Sequence, residues 1–167
     1  MRNLIIFVSL ASALVLSIPV SAQNAPRIAG FQVNLFNSKT GSFSGDMLAK
    51  DAPEMGNVTS GEFASVSVFV VVKVDLGKDA PVPQKMLVRL LATESGAMPF
   101  AVKSTKPVKS IILNSTSNLG PVNSDGVTFV GFWLPKTGCQ TIVLKATIVG
   151  AKPENSMSVT LPFACYE

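Results

Sequence analysis

The residues that could do chemistry in this chain are few, because it contains no histidine. Without an imidazole the chain lacks the Ser-His-Asp and Cys-His arrangements of nucleophilic catalysis, imidazole ligands for zinc or copper, and the commonest general base near neutral pH. It also carries no Gly-rich phosphate loop, no nucleophile elbow and no calcium-loop spacing. The sequence therefore predicts no catalytic, cofactor-binding or metal-binding residues, and a protein that is not an enzyme.

A carboxylate pair is the acid-base system that remains, as in glycoside hydrolases. The best-placed acids are Asp46, Asp51 and Glu54, which fall together in one predicted loop and could also serve as cation ligands. Their spacing matches no cation-binding pattern, and polar loops ordinarily carry such charges. We interpret the three as solvated loop residues, and an enzyme that acts on glycans through carboxylates stays as an alternative.

The two cysteines, Cys139 and Cys165, flank a predicted hairpin whose turn at 150–155 is rich in Gly, Pro and Asn. A hairpin symmetrical about that turn places Val143 opposite Leu161 and the cysteines opposite each other, at a separation that suits a disulfide. A redox or metal-binding pair is disfavoured because there is neither a C-x-x-C spacing nor a histidine. We predict a structural disulfide that stabilises the fold by roughly 3 to 4 kcal/mol.

Residues 134–138 read Leu-Pro-Lys-Thr-Gly, the LPxTG signal by which sortases anchor proteins to bacterial cell walls. Such a signal needs an accessible tail, followed at once by an apolar membrane span and terminal basic residues. Here a predicted strand follows, and the printed sequence ends Cys165-Tyr166-Glu167. We therefore interpret Pro135 and Gly138 as turn residues after an apolar strand.

The amino terminus predicts export. One arginine precedes a mostly apolar run at 4–20, and Val20-Ser21-Ala22 supplies the small residues of a cleavage site. Residues 1–22 are predicted to be a cleaved signal peptide, which leaves 23–167 as a single domain, periplasmic or secreted, with no later membrane span. Its formal charge is 13 − 10 = +3, since only Arg2 is lost, and the charge is too diffuse to indicate nucleic acid.

The apolar pattern predicts an all-β fold. Valine occupies every second position from 66 to 74, which is the period of a half-buried strand and predicts a strand at 62–76. Residues 85–93 fit both a strand and a helical stripe of leucines, and the context favours a strand. Further strands are predicted at 28–36, 41–48, 108–113, 127–134, 140–149 and 157–164. The expected fold is an antiparallel sandwich of about seven strands.

Two further features have competing interpretations. Trp133, the only tryptophan, could be a platform for a carbohydrate or peptide, but its apolar strand favours a core residue that packs near the disulfide. Lys103, Lys106 and Lys109 could meet an acidic partner, but they are more typical of a solubilising edge that discourages strand pairing.

The strand number, the alternation and the cysteine pair resemble an immunoglobulin-like β-sandwich over most of 23–167. Trp133 precedes both cysteines here, whereas in antibody domains a tryptophan lies between them. The resemblance implies a fold but does not imply a function.

The penultimate tyrosine, Tyr166, is similar to that of chaperone-usher pilin subunits, which are exported, incomplete sandwiches. In that family the disulfide lies nearer the start of the chain and the last strand contains a glycine.

We expect an exported, non-enzymatic binding or structural module with a protein or glycan partner. A pilus-like assembly subunit joined by strand addition is an alternative.

Overall fold

A computed structural model describes residues 25–52, 55–56, 67–81, 85–94, 110–135, 137, 141–151 and 154–164. Every regular element in these ranges is a strand. The strands are β1 Arg27–Asn37, β2 Ser42–Phe43, β3 Met55–Gly56, β4 Val68–Asp75, β5 Leu87–Glu94, β6 Ile111–Asn118, β7 Val127–Leu134, β8 Ile142–Val149, β9 Asn155–Leu161 and β10 Phe163–Ala164. Within the same ranges, no helix is long and apolar enough to cross a membrane.

Two antiparallel sheets of four strands make up the fold. The first sheet has the order β2-β1-β4-β7 and the second has the order β6-β5-β8-β9, while β10 and β3 form a two-residue parallel pair. The predicted all-β, antiparallel, two-sheet fold is confirmed. The count of about seven strands is corrected to eight in the two sheets. The strand predicted at 41–48 is present but spans only Ser42–Phe43, which pairs with the end of β1.

One apolar core lies between the sheets. The even-numbered valines of β4, which alternate in sequence, are fully buried, as the period-two pattern predicts. The second sheet contributes buried side chains from β5 and β8, including Leu90 and Leu144. The predicted extension of β4 back to residue 62 lies largely outside the described residues.

Residues 87–94 form a strand, so the preferred prediction for this segment is confirmed. Leu90 is fully buried in the core, whereas Leu87 and Leu91 lie on the other side of the strand and are half-buried. The stripe of leucines therefore arises from both sides of one strand rather than from one side of a helix.

The register predicted for the hairpin β8–β9 is wrong by one residue. Ile142, not Val143, lies opposite Leu161, and Val143 lies opposite Thr160. A shift of one residue would turn every side chain of a strand to the other side of the sheet. The observed register keeps Ile142 and Leu161 together in the core, where both are fully buried. Cys139 and Cys165 lie outside the described residues, so the disulfide stays a prediction.

Candidate functional site

Four aromatic side chains gather on the solvent side of the first sheet, and we call them the aromatic cluster: Phe36, Phe43, Phe69 and Trp133. The strand register brings them together, because Phe36 lies opposite Phe43 and Phe69 lies opposite Trp133. Opposed residues of an antiparallel pair project to the same side of the sheet. The ring centroids of neighbouring members are 5.4 to 6.4 Å apart.

Trp133 does not lie in the core, and its predicted position is corrected. The even-numbered residues of β7, Phe132 and Leu134 among them, face inward, so Trp133 faces solvent with 41% of its surface exposed. Nor is β7 a central strand: in the part of the chain that the structure describes, it pairs with β4 alone. The apolar run at 132–134 could not distinguish the two sides of the strand, because all three residues are large and apolar.

A glycine makes room for the cluster. Gly131 lies between Phe129 and Trp133 on the solvent side of β7, and the Phe69 ring lies over it. A Cβ at position 131 would come within 2.5 Å of Phe69 Cζ, which is closer than real Cβ contacts allow. The missing side chain therefore lets Phe69 lie flat enough to contact Trp133.

Phe129 extends this surface along β7 with 56% of its area exposed, and Phe43 is 51% exposed at the other end. We call the aromatic cluster together with Phe129 the aromatic face. Large aromatic residues that stay exposed on neighbouring strands are uncommon on monomeric proteins and mark contact surfaces. The aromatic face is the candidate site.

The solvent side of the second sheet is different in character. Its exposed positions are mostly polar or charged, such as Arg89 on β5, Lys145 on β8 and Ser158 on β9. The exposed apolar residues there, Ile111 and Val149, are aliphatic, and the four strands of this sheet contain no aromatic residue. A mostly polar surface is what a solvated sheet normally presents. The contrast between the two sheets places the candidate site on the first one.

An ion pair lies at the far end of the aromatic face, beyond Phe129. The Arg27 guanidinium donates to Asp75 at 2.7 Å, and the backbone N–H of Gly77 also donates to Asp75. The hydrogen bond from Arg27, followed by the one from Gly77, lowers the pKa of Asp75 below its ordinary value. The pair neutralises its own charge, which leaves exposed Lys73, opposite Phe129, as the nearest uncompensated charge in the register.

The predicted acidic loop has a structural explanation. The Asp46 carboxylate accepts hydrogen bonds from the backbone N–H groups of Val33 at 2.9 Å and Leu48 at 3.0 Å, so it fastens its loop to β1. Asp51 is exposed, and Glu54 lies outside the described residues. Among the residues described, no three acidic, cysteine or histidine side chains come together as metal ligands would.

The LPxTG segment is partly buried. Leu134 is fully buried, Thr137 is only 8% exposed, and the Pro135 carbonyl accepts a hydrogen bond from the Ser67 hydroxyl. A sorting enzyme needs these residues extended and accessible. Lys136 and Gly138 lie outside the described residues, as do Lys103, Lys106 and Lys109, so the predicted turn and the basic patch stay predictions.

No known protein family matches this chain, and a search of curated proteins finds no similar sequence. The fold and the site must therefore be interpreted from the molecule itself. Sequence reasoning singled out Trp133 but missed its three phenylalanine neighbours. The signal available for Phe69 was its place between Val68 and Val70, on the side of β4 opposite the alternating valines.

Proposed function

We propose that this protein is an exported, non-enzymatic binding module with an immunoglobulin-like fold, which contacts a protein partner through its aromatic face. The observation that carries the proposal is the aromatic cluster on the solvent side of the first sheet. Tryptophan and phenylalanine are enriched at the centres of protein interfaces, because they bury a large area with little loss of conformational freedom. The predicted signal peptide supports a periplasmic or secreted location.

The strand order supports an immunoglobulin-like topology. If β1, β4 and β7 correspond to strands A, B and E, the second sheet has the order C′, C, F and G, which is the arrangement of that sandwich class with a C′ strand. The chain also crosses from β6 in one sheet to β7 in the other and back to β8, as a Greek key does.

The geometry of the rings favours a protein over a glycan. A sugar ring stacks on an open, flat aromatic surface. Here the ring planes are inclined at 46° to 85° to one another, and Trp133 is in contact with three phenylalanine rings. Such a packed group presents inclined rings and ring edges instead of one open flat ring, which suits apolar contact with another protein better than stacking of a sugar.

A photoreactive side chain placed at position 129 tests this proposal in cells that make and export the protein. We expect covalent adducts with another polypeptide from position 129 and none from the matched position Ser158, which is exposed on the solvent side of the second sheet. Adducts from Ser158 alone, or equally from both positions, would overturn the assignment of the contact surface to the aromatic face.

A further inference from the structure

The outer edge of β7 is unprotected in the part of the chain that the structure describes. Residues 127–134 read Val-Thr-Phe-Val-Gly-Phe-Trp-Leu, without a charge or a proline, and their register with β4 has no bulge. Edge strands of monomeric proteins ordinarily carry lysine, proline or a bulge, because an open edge accepts another strand.

The hydrogen-bond pattern identifies which backbone groups face outward. The Leu76 N–H donates to the Gly126 carbonyl, so residues 76 and 126 occupy a hydrogen-bonded position between β4 and β7, although the Gly126 N–H itself donates to the Asn123 carbonyl. These bonds alternate along an antiparallel pair, so the even-numbered residues of β7 bond to β4. The N–H and C=O groups of Phe129, Gly131 and Trp133 consequently point away from β4, towards the edge.

At the opposite edge of the first sheet, the outward backbone groups of Val33 and Leu35 on β1 already have hydrogen-bond partners. On β1, the Val33 N–H donates to the Asp46 carboxylate and the Leu35 N–H donates to the Ser44 hydroxyl. Their carbonyls accept from the backbone N–H groups of Met47 and Ser44. Among the described residues, no such partner meets the outward groups of Phe129, Gly131 and Trp133.

The stretch of β7 whose outward backbone groups lack partners among the described residues ends at Val127 on one side and at Pro135 on the other. At one end Val127 is already satisfied, since its N–H donates to the Asn123 side chain and its carbonyl accepts from the Asn123 N–H. At the other end Pro135 has no N–H to offer. Gly131 lies midway between these two limits, so the stretch is symmetrical about it.

We propose that the partner bound at the aromatic face is a second copy of this chain, whose β7 pairs antiparallel with β7 of the first around a two-fold axis at Gly131. The inference rests on the proposed function, because it uses the same face. In this register each of the three outward residues meets another outward residue, and each such pair exchanges two backbone hydrogen bonds. Val127 of each copy meets Pro135 of the other, so the pairing stops at both ends.

The side chains fit the same register. Phe129 lies opposite Trp133 of the second copy, and Gly131 lies opposite its own counterpart, all on the solvent side of the sheet. The two exposed aromatic residues of β7 therefore cover each other across the axis. Because the same surface is used on both copies, the contact closes as a dimer and does not continue as a filament.

Sedimentation equilibrium of the exported protein, from about 1 to 500 μM, tests the dimer. We expect a monomer–dimer equilibrium that Phe129→Lys weakens by at least about tenfold, because two aromatic contacts with Trp133 are lost and a lysine on an edge strand disfavours pairing with another strand. Ile111→Lys is the matched control: Ile111 is 64% exposed on the edge strand of the other sheet, and its replacement should leave the equilibrium unchanged.

Amide hydrogen exchange supplies a second measurement that needs no variant. Protection of the Phe129, Gly131 and Trp133 amides should rise with protein concentration, while that of the outward amides of β6 should not. A monomer at every concentration, or equal weakening by both lysine variants, would overturn the second-copy inference. If the chain is monomeric but position 129 still captures a different protein in cells, the proposed function stands and only the identity of the partner fails.

Discussion

At the scale of single residues, the aromatic cluster depends on an absent side chain. The Phe69 ring occupies the space over Gly131, so the ring and a Cβ at that position exclude each other. The obstructing atom is the far end of a side chain that can rotate, which makes the replacement of this glycine an informative one.

We predict that Gly131→Ala tilts Phe69 away from Trp133 and shifts the tryptophan emission to longer wavelength, while stability falls by only about 1 kcal/mol. Because Trp133 is the only tryptophan, its emission reports on the cluster alone. Gly30→Ala is the control, since nothing lies within 4 Å of a Cβ at that position on β1, two strands from β7 in the same sheet. An unchanged emission in Gly131→Ala would contradict the contact between Phe69 and Trp133.

The Arg27–Asp75 pair makes a pH-dependent prediction. The pKa of Asp75 is lower in the folded protein than its ordinary value of 3.8, so its contribution to stability is present above that value and is lost as the pH falls through the lowered pKa. The pair is partly exposed, so we expect Asp75→Asn to cost about 1 kcal/mol or less at pH 7, and less still near pH 2, where protonation of Asp75 weakens the pair.

Urea unfolding at the two pH values checks this result. Asp125→Asn removes the same charge from an exposed turn and is the matched control. A loss of stability in Asp75→Asn that persists unchanged at the lower pH would show that the carboxylate acts through something other than its charge.

At the scale of strands, the outward direction of the odd-numbered groups of β7 makes its own prediction. A proline at position 129 removes an N–H that bonds nothing on β4, whereas a proline at position 128 removes an N–H of the ladder. We expect Thr128→Pro to lower the free energy of unfolding by at least about 2 kcal/mol more than Phe129→Pro does. Equal losses in denaturant unfolding experiments would reverse the assignment of the edge.

The predicted disulfide also belongs to this scale. Reduction of the protein recovered from its native cells should add about 2 mass units and lower the free energy of unfolding by roughly 3 to 4 kcal/mol. The serine variants of Cys139 and Cys165 should each be as unstable as the reduced protein. A mass that does not change on reduction would exclude the bridge.

The pattern of the sequence predicted which segments are strands better than where they lie. The alternation of β4 identified its buried side, because valine and polar residues separate cleanly there. It could not place β7 at an edge, since strand order depends on pairings between distant segments. The hairpin register was wrong by one residue because a symmetrical turn was assumed, whereas burial of Ile142 and Leu161 determines the observed pairing.

The candidate site was less accessible to sequence reasoning than the strands were. Phe36, Phe43, Phe69 and Trp133 come from four different strands, and no local spacing joins them. Only the register of β1 with β2 and of β4 with β7 brings the rings together. Because apolar residues are usually buried in the core, burial of Trp133 was the natural prediction. Its exposure is what marks it as part of the candidate site.

At the scale of the whole molecule, both sheets contribute to one core, so they should unfold together. Trp133 emission reports on the first sheet, and far-ultraviolet circular dichroism reports on both. We expect the two signals to give one coincident transition in urea. Two separate transitions would divide residues 23–167 into independent units and contradict the prediction of a single domain.

The arrangement of the strands also has a consequence in time. The Ile28 N–H donates to the Asn155 side chain across 127 residues of chain. Three of the six neighbouring strand pairs in the two sheets, β1–β4, β4–β7 and β5–β8, likewise join strands that are not consecutive in the chain. Folds built from such remote pairings form slowly, in milliseconds to seconds. The chain must lose conformational entropy in ordering long segments before the stabilising contacts can form. If residues 1–22 direct export, as the sequence predicts, slow folding would keep the chain extended until it has crossed the translocation channel.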